Sequence, residues 1–115
     1  MRNLAINEAA LLCYILERNA PGRVCEVENL RVIGRCGCGK CPTVIFGTHL
    51  KLEISNLPST QLVEYEGRNA ERVAVGLVLL TRGDRLSELE VWSLRGGPVR
   101  SLPITDTLLR MEAYD

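Results

Sequence analysis

Val73-Ala74-Val75-Gly76-Leu77-Val78-Leu79-Leu80, followed shortly by Leu86-Ser87-Glu88-Leu89-Glu90-Val91-Trp92, decides the fold. The first run is almost wholly apolar, as in a central strand covered on both faces. The second alternates with period two, which turns Leu89 and Val91 inward and Glu88 and Glu90 outward. Gly83-Asp84 lies between them, a pair suited to a tight hairpin turn. Residues 73–80 and 86–94 therefore predict a hairpin at the centre of a sheet. The tripeptide Arg82-Gly83-Asp84 reads as turn chemistry in that hairpin.

Outward from the hairpin, other segments repeat the strand signal. Residues 24–34 are rich in β-branched side chains but change phase at Glu28-Asn29, which suggests a bulge. Thr43-Val44-Ile45-Phe46 favours a strand. Leu50-Lys51-Leu52-Glu53-Ile54 and residues 62–66 alternate. The tail from Pro98 suits an edge strand followed by one helical turn at 107–111. Only the N-terminal region has helical periodicity. Asn7 is placed to cap a helix over residues 8–18, Glu8 suits its first turn, and Ile6 and Leu11 have staple spacing. Leu12, Ile15 and Leu16 then form its apolar face, and Asn19-Ala20-Pro21-Gly22 ends it. The fold class is α+β: one N-terminal helix packed on an antiparallel or mixed sheet of about five strands.

At 115 residues the chain suits a single domain over residues 1–115. Fourteen basic and fourteen acidic residues balance, which removes a global electrostatic reason to bind nucleic acid or an anionic membrane. No apolar run approaches the ~20 residues a membrane span needs. Five cysteines, an odd number, point away from a secreted disulfide framework and toward a reducing cytoplasm.

Arg35-Cys36-Gly37-Cys38-Gly39-Lys40-Cys41-Pro42 carries the most chemical information. The Cys38–Cys41 spacing lets two sulfurs reach one ion from a turn, and Cys36 adds a third. His49, the only histidine, or Cys25 would complete a four-ligand zinc site. The same thiols also admit redox chemistry, because Arg31, Arg35, Lys40 and Lys51 favour thiolates with no acid among them. Against a thioredoxin-type site, the motif leads into a β run and not a helix N-terminus. The plainest alternative is three small side chains packed at a glycine-rich bend.

The strings 35–44 and Leu86-Ser87-Glu88-Leu89-Glu90-Val91-Trp92-Ser93 resemble a group of small bacterial proteins without assigned function. In these a Cys-Gly-Cys segment precedes a β run. The resemblance implies a bacterial cytoplasmic origin and an α+β fold, and it transfers no catalytic residue.

No nucleophile, base and acid converge in a recognisable motif, so the expectation is a non-enzymatic protein without catalytic residues. Glu64 and Glu66 share a face of one predicted strand, and Glu88 and Glu90 share a face of another. These four are the candidate partner-binding residues. The reading is a bacterial protein-binding module, such as an immunity-type inhibitor of a cognate toxin, that uses neither nucleic acid nor membrane. Its alternative is a small zinc-binding or thiol-active protein centred on Cys36, Cys38, Cys41 and His49.

Overall fold

A computed structural model describes residues 2–35, 41–47 and 58–111. The expected hairpin is present as strands β5 (Ala74–Arg82) and β6 (Arg85–Ser93). Gly83 and Asp84 connect them at φ 54° and 64°, the left-handed pair whose twist matches that of the strands. Glycine and aspartate adopt this conformation more cheaply than other residues. Arg23 secures the turn from outside by donating to the Asp84 carbonyl (3.1 Å) and to its carboxylate. A register shift near Leu80 leaves one extra residue on β6, and the Ser87 hydroxyl there donates to the Leu80 carbonyl (3.2 Å).

The hairpin is extended on both sides. The remaining strands are β1 (Arg2–Asn3), β2 (Arg31–Arg35), β3 (Val44–Gly47), β4 (Ser59–Arg68) and β7 (Leu109–Met111). Among the described residues the order is β1-β2-β3-β6-β5-β4-β7, seven strands with every pairing antiparallel. The count exceeds the expected five or so; β1, two residues long, is too short to show alternation. β3 and β4 are consecutive among the described strands yet flank the hairpin on opposite sides, so β6 is the middle strand. The strand expected at residues 50–54 lies outside the described residues.

Helix α1 (Ile6–Asn19) covers one sheet face. Leu11, Leu12, Ile15 and Leu16 pack in a single buried cluster with Phe46, Tyr65, Val75, Leu77, Leu79 and Val91. The Asn19 amide donates to the Tyr65 hydroxyl (2.8 Å) and ties the helix end to β4. No helix among the described residues is long and apolar enough to cross a membrane.

Four local expectations are corrected. The helix starts two residues earlier than Asn7 would set it, with Ala5 as the cap. The buried Glu8 carboxylate takes over the capping role: it accepts the Ala5 N–H (2.7 Å) and is gripped by two Arg2 nitrogens (2.8 and 2.9 Å). Ile6 is 90% exposed, so the staple does not form. Pro21–Asn29 is a 3-10 helix and not strand, because Pro21 starts it with φ already near the helical value. In the tail the 3-10 turn Thr105–Thr107 precedes the edge strand, the reverse of the expected order.

Candidate functional site

The face of the sheet turned away from α1 is built from strand parity and register. Across β7, β4, β5 and β6, one row reads Leu109, Glu66, Gly76, Trp92. The next reads Met111, Glu64, Val78, Glu90. Leu80, Glu88 and Ile45 form a third row across β5, β6 and β3. All four candidate partner-binding glutamates thus share one face. Val78 is buried, yet it lies outside the helix-covered cluster. Among the described residues no second layer like the one expected over this strand covers it.

Trp92 shapes the end of that face. Its indole lies across the backbone of Gly76, where a Cβ would fall 2.4 Å from two ring atoms, so only glycine leaves the ring its seat. Trp92 is still 37% exposed, and Leu109, at the other end of the row across β5 and β4, is 65% exposed. Leu94 and Met111 are also exposed here. Among the described residues, four of the seven large apolar side chains left open to water, Trp92, Leu94, Leu109 and Met111, therefore lie on β6, just after it or on β7, at the two ends of these rows.

Among the described residues none of these four glutamates joins an ion pair. Ion pairs of the described residues join Arg2 to Glu8, Arg18 to Glu17, and Arg23 to Glu26 and Asp84. Glu64 instead accepts a hydrogen bond from the Gln61 amide (2.6 Å). Burial pushes the Glu88 carboxyl above the usual carboxylate range. A hydrogen bond with Glu90 and that neighbour's charge push the same way, and Arg82 opposes them.

Glu88, Glu90 and Trp92 line a cleft of about 610 Å³ together with Ile45, Arg35 and Cys41. The buried Thr43 hydroxyl closes its floor by accepting the Val91 N–H (2.9 Å) and donating to the Val91 carbonyl (3.2 Å). Arg35 donates to the Cys41 carbonyl (3.1 Å), which holds the end of the cysteine segment against β2.

Comparison with family models, curated proteins and solved structures finds no match to this chain.

Of the expected zinc ligands, Cys36, Cys38 and His49 lie outside the described residues, and Cys41 stands half-buried at the cleft. Cys25, the alternative fourth ligand, is exposed on the 3-10 helix and lines a different cleft, between that helix and α1, together with Cys13. Among the described residues no three His, Cys, Asp or Glu side chains group closely enough to hold a metal.

Sequence reasoning overlooked Trp92 and Gly76 as parts of this surface. The signal was available, since Trp92 continues the period-two series of Glu88 and Glu90.

Proposed function

We propose that the protein is a non-enzymatic protein-binding module that docks through the outer face of its sheet. The observation that carries this reading is the concentration of Glu64, Glu66, Glu88 and Glu90 with Trp92, Leu109 and Met111 on the face that α1 leaves uncovered. An antiparallel sheet can simply present one face to water, and then its outward residues are expected to be uniformly polar. Here they are mixed. Exposed tryptophan and methionine match the make-up of an interface, where aromatic and methionine side chains are enriched, and the carboxylates beside them set the charge of the partner it suits.

An immunity-type inhibitor is the specific form of this proposal. A toxin that acts on nucleic acid has a basic cleft, and an acidic face speeds encounter with it and competes with substrate phosphates. The test is capture of a partner from the native host by tagged protein, repeated with Glu88→Lys/Glu90→Lys. The expected result is a specific partner whose capture is lost in the double variant. Equal capture by both proteins removes the outer face from the mechanism. Stoichiometric zinc in protein purified without chelator, lost in Cys38→Ser/Cys41→Ser, would instead favour the thiol-centred alternative.

A further inference from the structure

We infer that the cleft beside Trp92 seats a lysine or arginine side chain of the docked protein. This deepens the docking reading and rests on it.

Charge and shape select the occupant together. Two carboxylates two residues apart on β6 line the cleft and make no ion pair at their own positions among the described residues. Their crowding, with Glu88 half-buried opposite Leu80 and Glu90 on the same side of β6, is relieved by an incoming cation. Arg35 also lines the cleft and keeps its charge while donating to the Cys41 carbonyl, so the incoming cation is seated at the β6 wall, beside Glu88 and Glu90. An anionic occupant would meet Glu88 and Glu90 directly. A bare divalent cation would need more oxygen ligands than the pair offers.

The remaining walls fit a cationic side chain and not a small ion. Ile45 and the Trp92 indole supply apolar surface for an alkyl stem, and the indole is the aromatic group best suited to attract an ammonium or guanidinium. Trp92 is held in place before any partner arrives, because its ring rests on Gly76. A preformed seat loses little ordering entropy on binding. The exposed Leu109 and Met111 extend the same face beyond the cleft and give apolar contact to the residues that flank the cation.

The chain's single tryptophan makes the test direct. Tryptophan-free peptides of alternating lysine and serine, or of arginine and serine, are titrated at physiological salt while Trp92 emission is read. A glutamate–serine peptide is the control. The expected result is a saturable change with the cationic peptides only. Glu88→Gln/Glu90→Gln, whose shape is conserved, should weaken it by about tenfold or more, as loss of charge-assisted contacts implies. Glu17→Gln/Glu28→Gln, on the helical side, should leave it unchanged.

No saturable response, or an undiminished one in Glu88→Gln/Glu90→Gln, overturns the seat. A partner captured equally well by wild type and by Glu88→Gln/Glu90→Gln, but lost from a variant of Leu109 and Met111, would overturn the seat while leaving the docking face intact.

Discussion

The inner and outer faces of the sheet are made by the same strands and the same ladder hydrogen bonds, yet they differ in nearly every other respect. On β5 the inward residues Val75, Leu77 and Leu79 are fully buried under α1. Their sequence neighbours Gly76, Val78 and Leu80 point outward between rows of glutamate. Inside, the Tyr65 hydroxyl accepts from the Asn19 amide, whose own Oδ1 stays buried without a hydrogen bond among the described residues. Outside, carboxylates stand beside exposed tryptophan, leucine and methionine. A one-residue slip would exchange the two faces, so register here separates a stabilising surface from a recognition surface. The inner face is built for stability, and the outer face keeps charge crowding and exposed apolar area that stability alone would remove.

The largest expected effect comes from placing one charge on either face. Val75→Asp buries an unpaired carboxylate and should cost several kcal/mol, enough to abolish soluble expression. The same change at half-buried Leu80 should leave a folded protein with an intact circular dichroism spectrum. Equal loss in both variants would break the distinction between the faces.

Glu8→Gln is next, at about 1–3 kcal/mol, because it weakens charged hydrogen bonds that join β1 to the helix start. The hydrogen bond from Arg2 holds the Glu8 carboxyl below its usual range, with burial opposing it. Its stabilisation is therefore complete above the ordinary carboxylate range and is lost as pH falls through the lowered value. Acid titration of the melting temperature should be shallower in Glu8→Gln than in wild type.

Gly76→Ala sharpens the comparison from the outer side. The new methyl must displace the Trp92 ring, which should cost about 1 kcal/mol and move tryptophan emission toward the red. Unchanged emission would show that the indole does not rest on Gly76.

The smallest effect has the opposite sign. With its carboxyl raised, Glu88 makes the fold less stable as pH rises from the ordinary carboxylate range through the raised value. Glu88→Gln removes that loss and should stabilise the protein at neutral pH by about 0.5 kcal/mol, visible in chemical denaturation. Destabilisation instead would mean that the Glu88 charge supports the fold and is not crowded.

What was legible in the sequence was legible because it is local. Alternation in residues 86–92 and the Gly83-Asp84 pair specify a hairpin within a few residues of chain, and the same alternation orients Glu88 and Glu90. Leu12, Ile15 and Leu16 likewise mark the buried side of α1 from spacing alone.

Where two local signals competed, the outcome depended on a contact with a neighbouring element. Asn7 is a good cap, but Glu8 had Arg2 across the β1 turn to fix it over Ala5. The β-branched run after Pro21 became a 3-10 helix that packs against α1, a contact no strand propensity records.

The sequence by itself therefore determined the class of fold, the central hairpin and the direction of each glutamate pair. Only the tertiary structure decided that β4 lies beyond β5, which brings Glu64 into line with Glu90 and Glu66 with Trp92. It also decided that Arg35 and Cys41 border the cleft of Glu88 and Glu90. Side-chain direction follows from the two-residue pleat of one strand, whereas adjacency follows from which strands pair, and that is chosen by burial summed over the whole chain.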